Sequence, residues 1–401
     1  MRPSIPFVCA LFLAIPSMGT AQNYSGSEPF REYRFLIGNL EEVELFATTG
    51  KTLNNMLMDV YFRGLSPKLP AAIEPFTEIG WSVFWTFMTT MWPHDGGHWA
   101  RAQQLGGDFR IMKFRFPFPE AVMIPPPGGS PVKSTLTSIA GFEVNGLMTQ
   151  RTHAECYRNG FTYADELIHS FINQVQYPFY AFLLKPANPE EPTTWTDTQG
   201  DPVESILSTY EWYTNRPAIR GDGTVDPELI RQYRETTALS LIWTVLDPMF
   251  WQSLKAFGAD MDEEHGLMRP RMQGSDTFRW AWGTQFHASP LGYELYLRGY
   301  LHFWNQFWSI YLKGGRPYRN TGFGISLPAL LKREHFTLGV TCDFWNQAVY
   351  GTGTALTIDA EYRFPGRMGL LLRTGWKNNG YLIGRRLEQS SLLLAGFNYR
   401  L

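Results

Sequence analysis

Phe278-Arg279-Trp280-Ala281-Trp282-Gly283-Thr284-Gln285-Phe286-His287 sets an aromatic residue or threonine at each even position and a charged, small or polar residue at each odd one. A period of two belongs to a β-strand, whose side chains point alternately to its two faces. The pattern continues outward. Leu291, Tyr293, Leu295, Leu297 and Leu301 alternate with Glu294, Tyr296, Arg298 and His302; Leu356, Ile358, Ala360, Tyr362 and Phe364 alternate with Thr357, Asp359, Glu361 and Arg363. Further strands fit at 307–313, 321–330, 336–345, 367–376 and 390–401, with turns at Gly314-Gly315, Pro365-Gly366 and Asn378-Asn379-Gly380. Residues 273–401 therefore read as about eight antiparallel strands.

The strand lengths approach the roughly 9–11 residues of a tilted membrane strand, and about eight strands is the smallest usual barrel. Aromatic residues make up 15% of the chain and charged residues only 18%, against a usual charged share of about 25%. That balance suits an outer-membrane β-barrel. The closing Gly396-Phe397-Asn398-Tyr399-Arg400-Leu401 resembles the C-terminal signal of such barrels, departing from it at Leu394 and Leu401. A soluble β-sandwich would alternate in the same way; the chain-ending strand and the aromatic faces favour the membrane.

The N-terminus agrees with export. Arg2, an apolar stretch from Phe7 to Ile15 and the small residues Gly19-Thr20-Ala21 have the order of a signal peptide over 1–21. Cys156 and Cys342, the cysteines outside that segment, are expected as free, buried thiols. Ile79 to Pro93, the best apolar run, stops at 15 residues, short of the ~20 a spanning helix needs. A net charge of −2 leaves no electrostatic case for nucleic acid.

Residues 22–272 read as a helical domain. Helical periodicity runs near 40–63, 71–105, 133–158, 161–184, 202–214 and 226–256, with Asp226-Pro227-Glu228 as cap, first helical residue and acidic first turn. Pro125-Pro126-Pro127-Gly128-Gly129 and the polar stretch 186–202 are expected as loops, and extended pairing is expected near 108–116. The fold class is thus α+β, a helical N-terminal domain followed by an antiparallel β-barrel of about eight strands.

The chemistry lies in Pro93-His94-Asp95-Gly96-Gly97-His98. On a helix, His94 and His98 stand at i and i+4 and present both imidazoles to one face, where they can share a metal. Asp95 follows the first histidine, where zincins carry the residue that activates metal-bound water. The segment, with Ala100, Ala102, Leu105-Gly106 and the following Asp108 to Phe114, resembles the HExGH helix and next strand of site-2-type membrane metalloproteases. That resemblance implies zinc on His94 and His98, with Asp95 as general base. Asp95 is one methylene shorter than the usual glutamate, and Gly96-Gly97 costs a helix about 1 kcal/mol each. A Pro-His-Asp-Gly-Gly turn without metal is the alternative.

Two carboxylates compete for third ligand. Glu143 falls on the apolar stripe of Leu136, Ile139, Ala140 and Leu147, where it must be paired, protonated or metal-bound. Its placement is like the second-helix glutamate of gluzincins. Asp247, in Leu246-Asp247-Pro248, is similar to the Leu-Asp-Gly ligand of site-2 proteases; Glu143 is favoured because neighbouring helices close a site more readily. Asp165 and His169 share a spacing that a polar helix face explains, and His287 and His302 are expected to face the lumen. The resulting expectation is an outer-membrane-anchored zinc metallohydrolase, a peptidase acting on peptide or protein, in contact with outer-membrane lipid. The alternatives are a non-catalytic barrel with a helical scaffold or plug, and a lipid-acting metal hydrolase.

Overall fold

The computed structural model describes residues 29–115, 118–124, 131–183, 186, 188–197, 201–258 and 266–401. The expected export signal and the Pro125–Gly129 loop lie outside them. The architecture is a helical part followed by an antiparallel sheet, with ten hydrogen-bonded strands in the order β1-β14-β13-β12-β11-β10-β9-β8-β7-β6. Eight of these form an uninterrupted meander: β7 (Phe278–Ser289), β8 (Gly292–Phe303), β9 (Gln306–Pro317), β10 (Asn320–Lys332), β11 (Phe336–Gln347), β12 (Gly351–Arg363), β13 (Met368–Lys377) and β14 (Ser390–Arg400). The other two are β1 (Glu32–Gly38), against β14, and the short β6 (Gln273–Gly274), against β7.

Two expectations change here. The ladder is an open ten-stranded sheet, not a closed barrel of about eight, because β1 and β6 do not pair with each other among the described residues. The helix Val43–Asp59 covers the β1 edge, a common way to protect an edge strand, and the helix Pro227–Leu246 lies against β7 beside the short β6. The strand β1 also belongs to the C-terminal sheet although it lies within the stretch expected to be helical. Glu32 pairs with Arg400 in register and Gly38 with Leu394. Leu394 turns inward, fully buried, and fills the space that a side chain at Gly38 would need. The apolar residue that departs from the barrel signal thus packs the seam between β1 and β14.

The helices are α1 (Val43–Asp59), α2 (Glu74–Gln104), α3 (Pro131–Ser138), α4 (Ala140–Asn159), α5 (Ala164–Leu183), α6 (Pro192–Asp197), α7 (Asp201–Thr214), α8 (Pro227–Leu246) and α9 (Pro248–Ala256). Asp226 caps α8 as expected, accepting from the Glu228 amide at 2.9 Å. The single helix expected over 226–256 is divided at Asp247-Pro248, where proline removes an amide and its ring blocks the preceding turn. Antiparallel β2 (Asp108–Arg115) and β3 (Phe118–Ile124) form the expected extended pair, and the short β4 (Thr162–Tyr163) and β5 (Leu267–Met268) form another.

The sheet has inverted polarity. Leu297, Ile310, Leu312, Phe323, Leu356, Leu370, Leu372, Leu393 and Phe397 are exposed on its outer face. Glu294, Arg298, Lys313, Asn320, Asp343, Gln347, Lys377 and Asn398 are buried on the inner side. Lys313 and Glu294 form a fully buried ion pair at 2.8 Å, and Tyr296 donates to the other Glu294 oxygen at 2.6 Å. Buried charges persist only when paired and hydrogen-bonded in this way.

Helices α1 and α4 occupy the polar concave side. Tyr157 stacks on Tyr300 at 4.6 Å, and Gln285 donates to the Gly146 carbonyl at 2.7 Å. The His287 ring sits where a Gly146 side chain would stand, so a glycine lets α4 lie directly against β7. The Thr52 hydroxyl of α1 bonds the backbone of Arg34 in β1, donating to its carbonyl at 2.7 Å and accepting from its amide at 3.1 Å. At the β7 edge, Thr284 donates to the Trp243 carbonyl of α8 at 2.7 Å. Cys156 and Cys342 are free and buried.

Candidate metal centre

His94 and His98 lie within the unbroken helix α2. The glycines between them mark close helix approaches. A side chain at Gly96 would overlap the Phe46 ring of α1, and a Cβ at Gly97 would stand 2.6 Å from the Ala140 carbonyl oxygen of α4. Gly141 of α4 in turn leaves room for the His94 imidazole. The helix therefore tolerates two poor helix formers because α1 and α4 press against it there.

The two imidazoles face each other, Nε2 to Nε2, at 3.1 Å. A carboxylate oxygen of Asp201 lies 3.6 Å from His94 Nε2 and 3.3 Å from His98 Nε2. Both histidines are buried, while Asp201 is 24% exposed. Among the described residues these form the one group of three or more His, Cys, Asp or Glu side chains close enough to share an ion. A tetrahedral zinc with arms of about 2.0–2.1 Å separates its donors by about 3.3 Å, so the three observed separations fit its edges. Two imidazoles and one carboxylate with a fourth position left to water is the donor set of many catalytic zinc sites; it suits iron(II) as well.

The ring nitrogens turned away from this point hold the donors in place. His98 Nδ1 lies 2.6 Å from the Thr137 carbonyl oxygen of α3, which fixes the Nδ1–H tautomer and leaves Nε2 a free lone pair. His94 Nδ1 lies 3.3 Å from the Asn145 amide of α4, whose Oδ1 is buried and unbonded. Turning that amide over lets Oδ1 accept from His94 Nδ1–H, and the two orientations differ only in the assignment of O and N. His94 Nε2 is then free as well. Helix α3 also locates the third donor, since Ser134 donates to Glu204 at 3.1 Å, one turn after Asp201 at the start of α7.

Without a cation the centre holds a proton. Burial disfavours a charged His98, but Asp201 outweighs it and pushes the imidazole up to about 9. Burial likewise opposes ionisation of Asp201, and His98 and His94 reverse that, holding the carboxyl far below its usual range. Asp95 is half-buried, and burial raises its carboxyl against the pull of His94 and His98.

Neither expected third ligand joins the histidines. Glu143 is gripped by Arg101, Nε to Oε2 and Nη2 to Oε1 at 2.7 Å each, and also accepts from the Tyr381 hydroxyl at 2.9 Å. Its place on an apolar stripe is satisfied by a buried ion pair. Asp247 caps α9, accepting from the Met249 amide at 3.1 Å and from Gln174 at 2.7 Å, with His153 Nδ1 at 3.5 Å. Asp165 pairs with Arg31, and His169 meets the Thr89 carbonyl at 3.4 Å. Asp201 is not singled out by the sequence because it closes a polar stretch that reads as a loop. Its signal was Asp201-Pro202, the same helix-opening pair as Asp226-Pro227 and Asp247-Pro248. No family model, curated protein or solved structure matches the chain.

Proposed function

We propose that this chain is an outer-membrane-anchored, zinc-dependent hydrolase centred on His94, His98 and Asp201, with a peptide or protein as substrate. The observation that carries the reading is the convergence of three donor atoms at 3.1–3.6 Å, with His98 Nδ1 turned to a backbone carbonyl. Zinc held there would supply a Lewis acid and lower the pKa of a bound water. Asp95, one residue from His94 and within electrostatic reach of all three donors, is the group assigned to take that water's proton. The choice of a peptide rests on the resemblance of His94-Asp95-Gly96-Gly97-His98 to the site-2-type protease helix.

The outward apolar face of β8–β14 and the charged, hydrogen-bonded inner face support a lipid surround, since a soluble sandwich would put its apolar face inside. In this reading the outer face of the ten-stranded sheet meets lipid, and α1 and α4 cover its polar inner face. No helix among the described residues is long and apolar enough to cross a membrane.

Elemental analysis of the purified wild type beside His98→Ala tests the centre. About one zinc per wild-type chain and none in the variant is the expected result, with peptide cleavage lost in Asp95→Asn while zinc stays. Wild-type protein that is metal-free after exposure to zinc would leave the helices as a non-catalytic plug. Stoichiometric zinc with turnover of phospholipid and not of peptide would assign the lipid-hydrolase alternative.

A further inference from the structure

A cavity of about 310 Å³ lies between the inner face of the sheet and helices α1 and α4, at the lower end of the size range of ligand pockets. Most charges on its wall are matched. Arg151 and Arg373 share Glu44, Lys51 meets Glu155, and Arg34 meets Glu32 at 2.7 Å. Arg298 and Arg385 are different. Both line the cavity and are only 4% and 5% exposed, yet among the described residues neither has a carboxylate within 4 Å.

Arg385 donates from Nη1 to the Thr357 hydroxyl at 3.2 Å, while its Nη2 is buried with no hydrogen-bond partner. Gly375 makes room for this guanidinium, since a Cβ there would stand 3.3 Å from Nη1. Arg298 donates from Nε to Gln285 at 3.1 Å. Its guanidinium lies 4.9 and 5.4 Å from the ring centroids of Tyr296 and Tyr311. Asp343 is within electrostatic reach of both arginines, Glu42 of Arg385 and Asp247 of Arg298, but none of the three comes within 4 Å of either guanidinium, and Asp343 accepts the Tyr311 hydroxyl at 2.6 Å. A buried guanidinium with an idle N–H is costly unless an acceptor completes it.

We propose that this cavity binds a small oxyanion, a carboxylate or phosphate group, held by Arg298 and Arg385. The fork of N–H donors on a guanidinium matches both groups bidentately. The site is separate from His94, His98 and Asp201, and its occupancy does not depend on a metal there.

Calorimetric titration of the full chain, folded in detergent, with inorganic phosphate and separately with succinate tests the proposal. Saturable binding of at least one anion is expected, weakened roughly tenfold or more in Arg298→Gln and in Arg385→Gln and unchanged in Arg231→Gln on the exposed face of α8. Binding of phosphate alone identifies a phosphate-bearing ligand, and binding of succinate alone a carboxylate. If the glutamine variants do not fold, Arg385→Lys, which keeps the charge but not the fork, is expected to bind more weakly than wild type. Wild-type protein that binds neither anion, or variants that bind as tightly as wild type, would overturn it.

Discussion

Arg101 and Glu143 face each other through two parallel N–H···O bonds of 2.7 Å, both side chains about 1% exposed, one helical turn beyond the candidate metal ligands. Removing one partner of a buried pair strands the other charge, at a cost of about 3–5 kcal/mol. Glu143→Ala is therefore expected to lower unfolding stability by that order, while each folded molecule keeps its metal. Denaturant titration beside metal analysis of the folded fraction checks both halves. A variant that folds normally and loses the metal would return Glu143 to the ligand set.

Asp201→Asn separates ligation from folding. In the metal-free fold the substitution removes only the charge that pairs with the His98 proton, whereas for a bound metal a carboxylate donor is replaced by a poor one. Loss of an outer partner such as Asn145 typically weakens metal binding about 10- to 100-fold. The expected order is that Asp201→Asn lowers zinc affinity more than Asn145→Ala, and both bind less tightly than wild type in chelator competition. Equal affinity for Asp201→Asn and wild type would remove Asp201 from the centre.

Two glycines on α2 should respond oppositely to the same substitution. A Cβ at Gly97 meets the Ala140 carbonyl at 2.6 Å and Val144 Cγ2 at 2.7 Å, whereas Gly80 is open to solvent. Gly97→Ala should force α2 and α4 apart, costing about 1–3 kcal/mol and lowering metal occupancy because His94 faces α4. Gly80→Ala should stabilise by about 0.5–1 kcal/mol. Paired denaturation curves decide it, and a neutral Gly97→Ala would mean the helix contact is loose.

What was legible in the chain, and what was not, follows from the range of the interactions. Strand alternation from Phe278 to Arg400 and the i, i+4 histidines are local periodicities, and both were readable. The pairing of β1 with β14 was not, because Glu32 and Arg400 are joined only by chain reversal and seven residues of alternation are lost beside a helix. Carboxylate partners were the weakest point. Glu143 and Asp247 stood out because each lay in or beside an apolar run, but Arg101 satisfies one and helix capping the other. Asp201 sat in a polar segment where a carboxylate needs no explanation, and only tertiary packing through Ser134 and Glu204 brings its helix to the histidines.

His169 gives the protein an acid-sensitive element away from the metal centre. Burial holds its imidazole down, to about 4, with Lys51 acting in the same sense; the Thr89 carbonyl and Glu166 oppose this. The unfolded value is about 6.5, so between pH 6.5 and 4 the unfolded chain binds a proton that the folded chain refuses. This group's contribution is full above pH 6.5 and falls on acidification, by roughly 1.4 kcal/mol per pH unit and about 3 kcal/mol in all. His169→Gln should flatten the stability profile across that window. The same slope in variant and wild type would mean His169 is already charged in the fold.

The outer face of the sheet offers a direct reading of its surroundings. Leu372 of β13 is 46% exposed and points to the same side as Leu370 and Trp376, whereas its neighbour Arg373 turns inward to Asp359. In water, a charge at an exposed position costs little, and Leu372→Arg would be neutral within about 0.5 kcal/mol. In hydrocarbon, an arginine on the lipid face of a barrel strand costs about 2–4 kcal/mol near the midplane and falls towards zero at the interfaces. Folding yield in vesicles, followed by heat-modifiable mobility, should therefore drop for Leu372→Arg and not for Arg231→Gln on α8. A Leu372→Arg protein that folds in buffer without lipid, as stably as wild type, would mean that water and not lipid covers this face.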